Sequence, residues 1–140
     1  MSYGDAEPPP GPVIPCVGAV IKDSAGRLLL IKRGHEPGAG LWSLPGGRIK
    51  PNETDIEAVQ RETKEETGLV VKTGRLIGQV QRPGLADAVI DIKDYAATVT
   101  GGTLTAGDDA ADARWVAPGD LRALPLTEGL AEILADWGVI

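Results

Sequence analysis

Phenylalanine is absent from this chain of 140 residues, and cysteine, histidine and methionine occur once each. Each shortage narrows what the protein can be. With Cys16 alone no intrachain disulfide is possible, and its place in an apolar run reads as a buried core thiol. The single histidine, His35, lies in a stretch that reads as a surface loop, so it is a weak candidate for a catalytic base. Aromatic rings are limited to Trp42, Trp115, Trp137, Tyr3 and Tyr95. A nucleobase usually wants a ring to stack on, so the substrate is weakly signalled. No apolar run reaches the ~18 residues that a membrane span needs. A positive excess is lacking too, since 14 Lys and Arg against 20 Asp and Glu leave a net charge of −6. That argues against a nucleic-acid polymer as partner, though not against small nucleotides, because a bound cation reverses the sign locally. The N-terminus is Pro-rich and acidic, unlike a signal peptide. The expectation is a soluble protein of a reducing compartment, the cytoplasm.

What is present is ordinary for one globular domain, with 42% hydrophobic and 24% charged residues. Residues 1–12 read as a flexible, Pro-rich tail, and residues 13–140 as the domain. Val13 to Lys22 suits a buried strand. Asp23-Ser24-Ala25-Gly26 is turn chemistry, and Arg27 to Arg33 resumes as a strand, so a hairpin is expected. Gly34 to Gly40 reads as a loop. Thr54 with Glu57 three residues on forms a capping box, and Gly68 closes a helix. On that helix Ile56, Val59, Thr63 and Thr67 share the stripe expected to face a sheet. Val70 to Arg82 and Ala88 to Thr100 read as strands broken at Pro83-Gly84, and Asp112 to Val116 as a short one. Pro118 opens a short helix, and Thr127 is expected to cap a last helix through Trp137. Strands on both sides of a central helix suggest an α/β/α sandwich on a mixed sheet.

The segment Gly47 to Leu69 carries the chemistry. It concentrates Glu53, Glu57, Glu62, Glu65 and Glu66, and the last three sit at i, i+3 and i+4 on one helix face. Like charges so placed repel. They are either a solvated acidic face or a set of hard oxygen ligands for a divalent cation. The segment resembles the Nudix box in register: Gly47, Glu53, Arg61, Glu62, Glu65, Glu66, Gly68 and Leu69. Seven of these are fixed residue types, and with typical usage a chance match is on the order of one in a million. Thr63 departs from the pattern, where the family usually has an aliphatic residue.

The resemblance implies the sandwich fold and a hydrolase using Mg²⁺ or Mn²⁺. It implies that Glu62, Glu65 and Glu66 hold the metal, with the carbonyl of Gly46 as a further ligand and Glu53 as an outer member. Glu62 and Glu65 are thereby catalytic residues, and Arg61 orients the glutamates and balances their charge. Several family members recruit one more acid from a later loop as a metal ligand or general base, which here points to Asp108, Asp109 or Asp112, with Asp109 the first choice as general base. Arg33 and Arg82 are candidates to clamp a terminal phosphate, and Trp42 to line the pocket, although each also fits a plain structural role. Relatives that cleave ADP-ribose tend to carry a proline about fifteen residues after the box, where this chain has Pro83. The expected activity is cleavage of a nucleoside diphosphate linked to another group, ADP-ribose first. A nucleoside triphosphate pyrophosphatase and a silent nucleotide-sugar-binding module are the alternatives. The expected partner is a small nucleotide, with no polymer and no membrane, and the chain is expected to be a monomer or homodimer.

Overall fold

Apolar on both faces over most of its length, the run Val13–Ile21 forms a strand, β1, in the interior of a sheet. A computed structural model describes residues 11–107 and 110–140. After β1 come β2 (Leu28–Arg33), β3 (Trp42–Ser43), β4 (Gly46–Arg48), α1 (Asp55–Thr67), β5 (Leu69–Pro83), β6 (Val89–Gly102), β7 (Ala110–Val116) and α2 (Leu130–Asp136). A 3₁₀ turn at Pro118–Ala123 precedes α2. One sheet has the order β4-β1-β6-β5 and the other β3-β2-β7. β1 runs parallel to β6 and antiparallel to β4, so the larger sheet is mixed.

Two cores hold these layers together. Val17, Ala19, Ile21, Val71 and Ala97 of the larger sheet pack against Ala58 and Val59 of α1. Val20, Leu28, Leu30, Trp42 and Val116 meet Leu121, Leu130 and Leu134 in the second core. The mixed sheet thus lies between α1 and α2, as the sequence suggested. Cys16 is buried as expected.

The turn at residues 23–26 forms, and the hairpin does not. Asp23 Oδ1 accepts the N–H groups of Ala25 at 3.0 Å and Arg27 at 2.8 Å, and Gly26 takes φ 78°. Past one bridge between Lys22 and Leu28, the strands part into different sheets. The reason is occupancy. Both edges of β1 are taken by β4 and β6, which leaves no ladder for β2.

α1 begins and ends where its punctuation says. Thr54 accepts from the backbone of Glu57, Glu57 reaches back to Thr54, and Gly68 adopts φ 73°. A cap of this kind is worth about 1 kcal/mol. Val59, Thr63 and Thr67 are buried as expected, but Ile56 is 51% exposed and Ala58 takes the inward place. In the first turn the sheet-facing stripe has drifted by two positions. Tyr95 ties β6 to this end of the helix, its hydroxyl donating to Asp55 Oδ2 at 2.5 Å. At the other end of the chain Thr127 is not the cap of α2. Gly129, at φ 78°, holds that position without a side-chain bond, and Thr127 contributes its carbonyl to Leu130 N–H.

Candidate active site

Arg61 is the centre around which the acids of α1 and its preceding loop are arranged. Its Nε donates to Glu53 Oε2 at 2.7 Å and its Nη2 to Glu53 Oε1 at 2.9 Å, a two-pronged pair. Its Nη1 donates to Glu62 Oε1 at 2.8 Å and to Glu65 Oε2 at 3.1 Å. Nη2 also reaches the carbonyl of Arg48 in β4, at 2.9 Å. One guanidinium therefore holds three carboxylates and fastens the helix to the edge strand.

The two best-held carboxylates respond in opposite ways. Arg61, helped by the N–H of Lys50, lowers the Glu53 carboxyl to about 2. Burial raises the Glu62 carboxyl from its ordinary value although Arg61 pulls the other way. Glu65 is the open member, with 40% of its side chain exposed. Glu66 is only 8% exposed, and its Oε1 accepts the N–H of Gly46 at 2.7 Å. A Cβ on Gly47 would stand 2.6 Å from the Glu62 carboxyl carbon. Glycine there is a condition for seating the glutamate.

The donor set suits a hard cation, since Glu62, Glu65, Glu66 and the backbone at Gly46 offer only oxygens on the ligand side. Among the described residues no three acidic, His or Cys side chains already stand at metal-ligating spacing. Glu62 and Glu65 instead bond Arg61, which supplies the compensating charge, and Glu66 is held by the Gly46 N–H. The site is thus built around an arginine, with Glu65 its most exposed carboxylate.

The other expected site residues lie apart from this cluster. Arg33 is held by its own loop, its Nε donating to the Pro37 carbonyl at 2.6 Å. Trp42 is a core residue, 4% exposed, with the Arg114 guanidinium 5.0 Å above its ring. The guanidinium of Arg82 lies by Gly129, on the far side of the sheet from α1. His35 hydrogen-bonds through Nδ1 with the Glu36 carbonyl at 3.1 Å. Asp112 pairs with Arg114 on β7, at 3.0 Å. Asp108 and Asp109 fall outside the described residues. The loop before them is docked on the end of α1: Gly107 N–H donates to the Glu66 carbonyl at 3.1 Å, and Thr105 N–H to that of Thr67 at 2.8 Å.

Sequence reasoning missed the backbone groups of Arg48 and Lys50, which no side-chain pattern announces. It also missed Asp94, a buried carboxylate on β6.

A family model for the NUDIX domain matches residues 12–137. The chain belongs to the Nudix family. It is 41% identical over 119 residues to an ADP-ribose pyrophosphatase of Methanocaldococcus jannaschii, a match covering 81% of this chain and 65% of that protein. The chain therefore spans a little under two thirds of that relative's length. It is 31% identical to the CTP pyrophosphohydrolase of Escherichia coli, over 79% of this chain and 81% of that one. Among solved structures, the MutT protein of Methanosarcina mazei superposes with a TM-score of 0.80 at 27% identity, covering 91% of this chain and 94% of that one. Nudix hydrolases generally use divalent metal ions, which agrees with the oxygen donors of the Arg61 cluster.

Proposed function

We propose that this chain is a divalent-metal-dependent pyrophosphohydrolase that cleaves the diphosphate of a nucleoside diphosphate linked to another group, with ADP-ribose the first candidate. The observation that supports it best is the Arg61 array, with Glu62, Glu65 and Glu66 gathered beside a glycine-built edge strand. A silent module has no use for so much like charge in one place, and every box carboxylate is kept. Glu62, Glu65, Glu66 and the Gly46 carbonyl would hold Mg²⁺ or Mn²⁺. Bound there, the cation supplies charge neutralisation for the diphosphate and acidifies an attacking water. Arg61 keeps the carboxylates oriented between turnovers. Arg33 or Arg82 would clamp a distal phosphate only by leaving the Pro37 carbonyl or the neighbourhood of Gly129, and Trp42 would support the pocket wall from the core.

With three glutamates committed to metal, the water needs a separate proton acceptor, and Asp109 is our assignment. Its loop is anchored on the Glu66 carbonyl through Gly107. Asp109→Asn should lower kcat about 10²-fold with KM little changed, as loss of a general base does. An unchanged kcat would move the base to Glu65 or His35.

ADP-ribose is favoured by the M. jannaschii relative and by Pro83, which ends β5. Triphosphate pyrophosphohydrolysis is the second reading, favoured by the E. coli relative and by a putative 8-oxo-dGTP diphosphatase of Bacillus subtilis at 38% identity. The setting would be the cytoplasm, with the chain a monomer or homodimer. The test is a panel of ADP-ribose, CTP and 8-oxo-dGTP with Mg²⁺. ADP-ribose should yield AMP and ribose 5-phosphate, and a chelator should abolish the reaction. Absence of phosphate-containing products from every substrate would sink the proposal.

A further inference from the structure

One row across the larger sheet consists of Gly46 on β4, Gly18 on β1, Asp94 on β6 and Gly78 on β5, each opposite the next. Residues so paired share a face. Val17 and Ala19, which flank Gly18, pack toward α1, so the row faces the other way. Three of its four positions lack a side chain, and the fourth is a carboxylate only 4% exposed.

Glycine weakens a strand interior and marks a close approach, and here what approaches is visible. A Cβ on Gly18 would lie 2.0 Å from Asp94 Oδ1, and one on Gly78 would lie 2.3 Å from Cε2 of Trp137. The carboxyl is laid over one glycine and an indole over the other. Among the described residues no hydrogen-bond donor meets the Asp94 carboxyl. Arg82, on the same face, tempers its charge from a greater distance, and burial still raises it to about 6. A buried carboxyl left without a donor weakens the fold. Such a group is a sign of a site when it stands in a cleft.

The row leads directly from the proposed catalytic edge. Gly46, its first member, is the residue whose N–H holds Glu66. Asp94 stands two strands further in, a distance of roughly 10 Å, with only Gly18 between. Around it the face is apolar and half-buried at Ile14, Val80, Ile90 and Ile92. A flat group lying on that floor beside Trp137 would point its phosphates toward Gly46 and Glu66.

We propose that Asp94 reads the exocyclic amino group of a nucleobase lying on this sheet face. The carboxylate accepts the amino N–H. A carbonyl in its place would set oxygen against oxygen, and a site built for a donor rejects the analogue lacking one. The inference rests on the pyrophosphohydrolase reading only for where the phosphates go.

The experiment titrates the full chain with AMP, CMP and GMP and with their deaminated counterparts IMP, UMP and XMP, following tryptophan fluorescence. At least one amino-bearing member should bind tenfold or more tightly than its partner. Asp94→Asn, which is nearly isosteric and can donate as well as accept, should bring that ratio within threefold while the melting temperature holds or rises. No preference in any pair, or a preference that survives the substitution, overturns the proposal. So does a melting temperature that falls by several degrees, because Asp94 would then be a structural partner of Arg82. Hydrolysis of the pyrophosphate panel without base preference sinks Asp94 as the reader and leaves the hydrolase standing. Base preference without hydrolysis does the reverse.

Discussion

At the edge of the sheet three glutamates share the guanidinium of Arg61, while on the opposite face one aspartate lies among glycines with no donor at hand among the described residues. The first region carries far more charge, yet it is the better satisfied. Each of its acids has a short bond, and Glu53 is held at about 2. Asp94 carries one charge and is pushed the other way by burial. Charge density alone therefore does not mark the weak point of this fold. What matters is whether a donor arrived with the acid, and the two regions can be separated by that criterion.

The largest effect expected is at the open acid. Glu65→Gln removes one ligand charge from the proposed metal set and should cut turnover at least 10²-fold. The fold should be unharmed, since i, i+3 and i+4 repulsion on α1 is eased. Single-turnover rates with Mg²⁺ at wild-type level would break the metal assignment.

Arg61→Gln tests the satisfied region as a structure. Three carboxylates lose their shared cation, and after allowance for their partial exposure the loss should be about 2 kcal/mol. Thermal melts should fall by several degrees. The sign with pH follows from Glu53. Its folded value lies below the ordinary one, so its stabilisation is present above about 4.5 and disappears as pH falls toward 2. The variant should lose this acid limb, and an unaltered limb would assign the depression to Lys50 instead.

Asp94→Asn should do the opposite. Burial pushes the folded carboxyl up to about 6 from an ordinary 3.8, so the native state prefers the protonated form. Wild-type stability from this group is present below about 4 and is lost as pH rises through 6. The variant should be more stable than wild type by about 2 kcal/mol at pH 7.5, and the two should converge near pH 4. Denaturant melts at both pH values decide it. A constant difference would mean that the gain has nothing to do with ionisation.

The smallest effect concerns a hydroxyl. Thr63 Oγ1 is buried without a hydrogen-bond partner among the described residues. Thr63→Val keeps the shape and removes the stranded group, for a gain of about 1 kcal/mol. A lower melting temperature would show that the hydroxyl has a partner in solution.

The difference between the two regions also explains what could be read beforehand. The capping box at Thr54, the stop at Gly68 and the glutamate spacing are local, so they stand in the order of the residues. Arg61 and Glu53 are close in sequence and were legible through the box. Asp94 owes its surroundings to Gly18, Gly78 and Trp137, which meet only when distant strands pair. The hairpin expected of β1 and β2 failed for the same reason, because the competing partners β4 and β6 lie further along the chain. Trp42 and Arg33 had reasonable chemistry but took their neighbours from a core and a loop.

β1 joins β6 in parallel, Val13 opposite Val89, on the far side of α1 and β5 in the chain. Loop closure over such a separation is entropically slow. α1 can be capped and wound as soon as its own residues exist, but the floor beneath it waits for β6. A nascent chain stopped before Val89 lacks the strand that joins β1 to β5, so the sheet under the glutamate helix should stay unassembled and its apolar face open to aggregation. Synthesis order thus makes the proposed catalytic edge early in sequence and late in time.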